Sequence, residues 1–385
     1  MNNVYLDNAA TTKVIPEVIT EMNKIMDTYY ANPSSLHRLG LKAENRLKKA
    51  RKTICDILKV DPKELIFAGS GTVANNIAIQ GAVNHLKKFG NRIITSSTEH
   101  KSVLKIFEYL KTQGFEIIYI PVNNKGIVNL DEIKKVINKN TILVSIMAVN
   151  NETGSINPIN KIAKVINEYD HIYFHVDGVQ ALGKIPINLQ VNKIDLYTIS
   201  AHKIHGPKGI AALYIKNSVI IDKILQGSNQ EQGYYPGTEN MPGIIGFSEA
   251  VNHLPSLKQI NKIYELKNYL AEKIKKEIPD VIINTPLNKR SAPHILNVSF
   301  SDIKGEILIH SLESANIYIS TGSACSSKKN KISHVIKALN LPTNYQQGSV
   351  RFSFSQHNTR KEIKYTFKNL KEKVKNLRKI IGGKK

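Results

Sequence analysis

The sequence predicts an α/β protein: a mostly parallel seven-stranded sheet covered by helices, followed by a smaller α+β unit. Three observations carry this expectation. Short β-branched runs recur seven times between about Asp61 and Ile215. Segments of helical period separate most of them. The runs are apolar on both faces, as strands of a parallel sheet covered on both sides must be.

In chain order, "ELIFAG", "NRIITSS", "FEIIYIPV", "TILVSIMAV", "HIYFHVD", "IDLYTIS" and "IAALYIK" are bounded by Gly, Asn, Pro or polar residues and read as strands. "VANNIAIQGAVNHLKKFG" and "NPINKIAKVINEYD" have helical spacing with Gly or Asn at their ends, and read as helices. The last two strands leave no room for a helix between them, so one edge of the sheet is expected to run antiparallel. A single long helix is predicted from Pro242 to Ile278. Beyond it come a strand "HILNVSF", a helix "KGEILIHSLESA", a short strand "NIYIS" and a strand "SVRFSFS". Ile363, Phe367, Leu370, Val374 and Leu377 then recur at helical spacing and predict an amphipathic closing helix with a basic solvated face. The expected division is a large domain of residues 15–255 and a small domain of residues 1–14 and 256–385.

The 385 residues are 41% hydrophobic and 22% charged, which suits a soluble globular protein with more than one domain. No apolar run approaches the roughly 20 residues that a membrane span needs. The N-terminal stretch lacks the basic-then-apolar pattern of a secretory leader. Two cysteines, Cys55 and Cys325, exclude a disulfide framework. No Cys or His cluster has zinc spacing, so no metal is expected. The expected compartment is the reducing cytoplasm. The net charge of +23 is spread along the chain, with a mild concentration near the C-terminus. Diffuse charge of this kind draws acidic partners but does not specify direct nucleic-acid binding.

Ligands of open parallel sheets sit beyond the C-terminal ends of the strands, so those ends hold the candidate chemistry. "HIYFHVD" ends at Asp177 with Gln180 close behind, and "IDLYTIS" ends at Ser200, followed by His202 and Lys203. "ELIFAG" leads into "SGT", where Gly71 and Thr72 open a helix. "NRIITSS" leads into "TEH" with His100, and "TILVSIMAV" into Asn150, Asn151 and Glu152. A strand-end lysine can form a Schiff base with an aldehyde cofactor, and a neighbouring carboxylate can pair with a protonated pyridine nitrogen. That pairing marks pyridoxal phosphate sites. The turn "GSGT" offers N–H groups, a hydroxyl and the positive end of a helix dipole, which suit a phosphate. His100 can stack on the ring or shuttle protons. Singly, Asp177 reads as well as a helix N-cap, "SGT" as an ordinary turn, and His202 and His205 as structural histidines. Their joint occurrence at successive strand ends selects the cofactor reading.

"YLDNAATT", "TEHKSVL", "VNNETG", "HVDGVQALGK", "SAHKIHGPKG", "GTENMPGIIGF", "STGSACSS" and "VRFSFS" resemble, in order and spacing, the cysteine desulfurase family. These are pyridoxal-phosphate enzymes of the class V aminotransferase type with the type I fold, and the resemblance runs from about residue 4 to 380. It implies that Lys203 carries pyridoxal 5′-phosphate, Asp177 bonds the pyridine nitrogen, Gln180 the phenolic oxygen, and His100 stacks over the ring. Gly71, Thr72, Ser200 and His202 would hold the phosphate, joined by Thr238 from the other subunit of a homodimer. Asn151 would contact cofactor and substrate, and Arg351 would bind the substrate carboxylate with its planar fork.

The resemblance further implies conversion of L-cysteine to L-alanine, with the sulfur left on Cys325 as a persulfide. A sulfur-acceptor protein of iron–sulfur assembly or tRNA thiolation would then receive it. Lys328 and Lys329 would weakly favour the Cys325 thiolate, and His100 would manage its proton. Cys55, near Ile54 and Leu58 at helical spacing, is expected to be buried. The long segment after Cys325 resembles the subgroup with an extended cysteine loop. Val73, Gln232, Tyr235 and Pro236 depart from the family pattern near the phosphate turn and subunit contact. A selenocysteine lyase, a related class V aminotransferase, and a basic RNA- or protein-binding scaffold without activity are the alternatives.

Overall fold

The β-branched runs become strands where expected, and the computed structural model describes residues 3–322 and 332–382. Cys325, Lys328 and Lys329 lie outside the described residues. The chain opens on a two-residue strand, β1 (Val4–Tyr5), and two helices, α1 (Pro16–Thr28) and α2 (Arg38–Leu58). The large sheet follows: β2 (Leu65–Ala68), β3 (Arg92–Ser96), β4 (Glu116–Ile120), β5 (Thr141–Ser145), β6 (Tyr173–Asp177), β7 (Leu196–Ser200) and β8 (Ala211–Ile215). Helices α3 (Gly71–Leu86) and α4 (Lys101–Thr112) lie among them in the chain.

The order across the sheet is β2-β8-β7-β6-β5-β3-β4. Strands β3 to β7 pair in parallel, whereas β8 is antiparallel to both β7 and β2. The antiparallel strand therefore sits one place inside the edge rather than at it, which corrects the sequence reading. The link from β7 to β8 holds only a short 3₁₀ turn, Ala201–Lys203, so β8 folds straight back beside β7. Its other side remains open for β2. Strands β5, β7 and β8 are buried along their whole length, as their unbroken apolar runs require.

The predicted helix from Pro242 to Ile278 is two helices, Met241–Asn252 and Leu257–Glu277. Pro255 has no N–H to donate, and Ser256 starts the second helix with a reciprocal capping box to Gln259. Beyond them, β9 (Val281–Ile283), β10 (Ile295–Phe300) and β12 (Ser349–Ser353) form an antiparallel sheet in the order β12-β10-β9. Between β10 and β12 in the chain lies β11 (Ile317–Tyr318), which pairs in parallel with β1. The closing helix, Arg360–Gly382, buries Ile363, Phe367, Leu370 and Val374 in one core with Val4, Leu6, Leu270, Leu296 and Phe352. The first strand thus packs with the C-terminal third of the chain. No helix among the described residues is long and apolar enough to cross a membrane.

Candidate active site

The strand ends open onto a cavity of about 260 Å³. Asp177, at the end of β6, is nearly buried at its floor. Its Oδ1 accepts from Val179 N at 3.0 Å, and its Oδ2 from Asn75 Nδ2 at 3.1 Å. Asn75 Nδ2 also donates to Ser102 Oγ at 2.9 Å, and Ser102 Oγ lies 2.8 Å from His100 Nδ1. His100 caps α4 by accepting the Ser102 N–H at Nδ1, 3.1 Å away. That bond leaves the proton of the neutral ring on Nε2. Desolvation by the surrounding protein lowers the His100 pKa, with Asp177 opposing and Lys203 adding to the shift.

Lys203 leaves β7 in the 3₁₀ turn and sends Nζ to the carbonyls of Ala9 and Ala10, each at 2.7 Å. Ala9 O also accepts from Gln180 Nε2 at 2.9 Å. The loop "YLDNAATT" therefore forms one wall. Behind it, Lys184 Nζ donates to the Lys203 carbonyl at 2.8 Å; burial first, then the Lys203 charge, pulls its pKa down to about 7. His202 lies 3.2 Å from Thr11 Oγ1, and burial takes its pKa to about 4. Gly71 and Thr72 begin α3 at the cavity, capped by Ser70, whose hydroxyl accepts from Val73 N at 3.2 Å. A Cβ at Gly71 would stand 3.2 Å from Val179 Cγ2, so glycine keeps this cradle open.

The opposite end is built around Arg351 of β12, which is 2% exposed. Its Nη2 pairs with Asp7 Oδ1 at 2.9 Å, and its Nη1 donates to Asn151 O at 2.6 Å and Gly322 O at 3.3 Å. The fork expected to hold a substrate carboxylate is thus positioned by Asp7 and two backbone carbonyls. Arg351 Nε has no partner among the described residues. Beside it, the Glu152 carboxyl accepts from Ser333 Oγ at 2.7 Å, and burial raises its pKa to about 7. His334 approaches Glu99 O through Nε2 at 3.0 Å. The Glu99 side chain accepts from Ser96 Oγ at 2.6 Å and Met147 N at 3.0 Å, and burial pushes its pKa up to about 8.

Gly71, Thr72, His100, Asn151, Asp177, Gln180, Ser200, His202, Lys203 and Arg351 all line the one cavity. Thr238 is exposed and does not line its own chain's cavity, and Cys325 is outside the described residues. Cys55 is fully buried in α2, and burial pushes its thiol up to about 12. Tyr235, one of the departures, packs against the phosphate-type turn: a Cβ on Gly69 would meet its hydroxyl at 2.7 Å. Gln232 instead donates to Lys63 O at 2.8 Å.

The sequence reading gave no role to Asp7, Asn75, Ser102, Lys184, Glu152 or His334. Asp7 and Asn75 stand within the conspicuous stretches "YLDNAATT" and "GSGTVANN", and Glu152 follows a strand run. His334 carries no local signal.

An amine, a carboxylate and a helix N-terminus sharing one strand-end cavity are the parts an aldehyde-cofactor enzyme requires. The chain belongs to the aminotransferase class-V family, whose profile matches residues 4–366. That family depends on pyridoxal 5′-phosphate, and the residues present fit it: Lys203 for its aldehyde, Asp177 for its ring nitrogen, and the open glycine cradle at α3 for its phosphate. The chain is 41% identical over 379 residues to the cysteine desulfurase IscS of Dictyoglomus turgidum, covering 98% of this chain and 96% of that protein. A solved NifS-like protein matches with a TM-score of 0.90 at 34% identity, over 97% of this chain and all (100%) of that one. SspA, solved in complex with cysteine, matches with a TM-score of 0.81 at 32% identity, over 92% and 100% of the two chains.

Proposed function

We propose that this chain is a pyridoxal-phosphate-dependent cysteine desulfurase that converts L-cysteine to L-alanine and retains the sulfur on Cys325 as a persulfide. The observation that carries the reading is the convergence of Lys203, Asp177, His100 and Arg351 on one cavity. Near-full-length similarity to an IscS protein supports it. When bound, the cofactor supplies a conjugated, electron-withdrawing ring that accepts charge as the substrate Cα–H bond breaks.

The chain's own residues do the rest. Arg351 holds the substrate carboxylate, and the Asp7 carboxylate and the Asn151 carbonyl fix its plane. Asp177 keeps its charge directed at the ring nitrogen through its bonds from Val179 and Asn75. Lys203 Nζ moves the Cα proton. His100, with its proton on Nε2, exchanges protons with the substrate sulfur. The Cys325 thiolate attacks that sulfur: an S–S bond forms as the Cβ–S bond breaks, and Cβ takes up a proton. The carbon skeleton gains the two electrons that the sulfur pair gives up, so the step is balanced.

The proposal includes a homodimer in which Thr238 of each copy completes the phosphate site of the other, which its exposure away from its own cavity supports. It also includes a cytoplasmic setting, an acceptor protein of iron–sulfur assembly or tRNA thiolation, and the division into residues 15–255 and 1–14 with 256–385. The pairing of β1 with β11 supports that division.

The test is to incubate the purified protein with L-cysteine and dithiothreitol and to quantify alanine and sulfide. Equal amounts are expected from the native chain. Cys325→Ala should release less than about a hundredth of the sulfide while still binding pyridoxal 5′-phosphate. Undiminished sulfide release by that variant would refute the role given to Cys325.

A further inference from the structure

We propose that His294 is a positioning residue of the cofactor site: it holds the Gln180 amide in the one orientation that presents its NH₂ group to the cofactor. This rests on the pyridoxal-phosphate reading above. His294 immediately precedes β10 and is 1% exposed. Its carbonyl accepts from Phe354 N at 2.9 Å, which anchors it beside β12. It does not line the cavity.

The argument is one of donors and acceptors. Gln180 Nε2 lies 2.9 Å from Ala9 O, and a carbonyl can only accept, so the NH₂ group must be at that end. The other end is then Oε1, also acceptor only, 3.0 Å from His294 Nε2. His294 must therefore carry its proton on Nε2. Its Nδ1 has no partner among the described residues. Burial, and then the charges of Lys184, Lys267, Arg351 and Lys203, hold the ring well below the usual histidine pKa, so it is neutral with Nδ1 bare.

An amide flip would set NH₂ against Nε2–H and Oε1 against Ala9 O, losing both bonds at once. Ala9 O is the same atom that accepts from Lys203 Nζ at 2.7 Å. The series His294 to Gln180 to Ala9, with Lys203 arriving from the other side, ties the amide and the cofactor lysine to one carbonyl. The amide nitrogen has a second hydrogen, and Gln180 borders the cavity, so that hydrogen is left for the cofactor's phenolic oxygen.

The test titrates full-length chain, freed of cofactor, with pyridoxal 5′-phosphate and records the absorbance of the bound form. His294→Leu is expected to weaken binding about tenfold and to shift the absorbance maximum. His294→Gln places an amide N–H where Nε2–H was and should restore both to within about twofold. Gln180→Leu should show the same loss, and adding His294→Leu to it should cost less than about twofold more.

The inference is overturned if His294→Leu binds and absorbs like the native chain, if His294→Gln is as impaired as His294→Leu, or if the two losses multiply in the double variant. A native chain that takes up no pyridoxal 5′-phosphate sinks the broader functional reading instead. If His294→Leu does not fold, nitrogen-15 spectra of the histidine-labelled native protein decide. They should show His294 neutral and protonated on Nε2, and an Nδ1-protonated ring overturns the inference.

Discussion

The two ends of the cavity are assembled in different ways. At one end, Asp177 and Ser200 close the adjacent strands β6 and β7, and Lys203 lies in the turn directly after β7, all close together in the chain. At the other, Arg351 reaches Asp7 across 344 residues of sequence and Asn151 across 200. The first end rests on one continuous sheet, where the strand-end residues Asp177 and Ser200 are buried. The second exists only when the N-terminal loop, the turn after β5 and the C-terminal sheet are packed together. The cofactor end is thus seeded by adjacent strand ends and only then tied to the N-terminal loop, through Lys203 and Gln180 to Ala9, whereas the substrate end has no local seed.

The difference can be broken most severely at the first end. Lys203→Ala should lower alanine formation by roughly 10³-fold or more, because it removes both the covalent attachment and the proton carrier. Activity within tenfold of native would refute that assignment. At the second end, Arg351→Ala should lower kcat/KM by about 10–100-fold, mostly through KM. Arg351→Lys should recover only part of it, since an ammonium cannot reproduce the fork. An equal fall in kcat with KM unchanged would place Arg351 in the chemistry rather than in recognition.

A smaller effect is expected from Asn75→Ala, which unlinks Asp177 from Ser102 and His100. About a tenfold loss of kcat is expected, with a changed pH profile as the His100 proton loses its support.

The smallest effect concerns stability. Burial raises the Glu99 pKa to about 8 and the Glu152 pKa to about 7, from the ordinary carboxyl value of 4.5. Each group keeps its proton in the fold at pH values where the unfolded chain has lost it. The contribution of these two carboxyls to stability therefore falls as pH rises from about 4.5 towards 8, while the buried Lys184 amine, held down to about 7, contributes in the opposite sense above that value. Urea unfolding of the native chain and of Glu99→Gln at pH 5.5 and 8.5 isolates the Glu99 share: between the two pH values the native chain should lose on the order of 1–3 kcal/mol more than the variant. An equal response of the native chain and Glu99→Gln to pH would contradict the buried, protonated carboxyl.

The same contrast explains what could be read from the residues alone. All seven strands of the large sheet, and the residues at their ends, were legible because strand burial and strand-end placement are local patterns. The position of β8 was not, since nothing in "IAALYIK" says which strand takes its far side. The break at Pro255 and Ser256 is hidden from apolar spacing, which continues on both sides of it, although proline and a capping serine mark it. Asp7 and His334 acquire meaning only from partners hundreds of residues away. Asn75 and Ser102 act through hydrogen bonds, and no periodicity reports those.

The burial of Cys55 has a practical consequence for sulfur accounting. With its thiol sealed in α2 and held up to about 12, it is closed to alkylating reagents at neutral pH. The chain has only one other cysteine. Any label that the native protein takes up on cysteine is therefore assigned to position 325, and the Cys55 equivalent is expected only after denaturation.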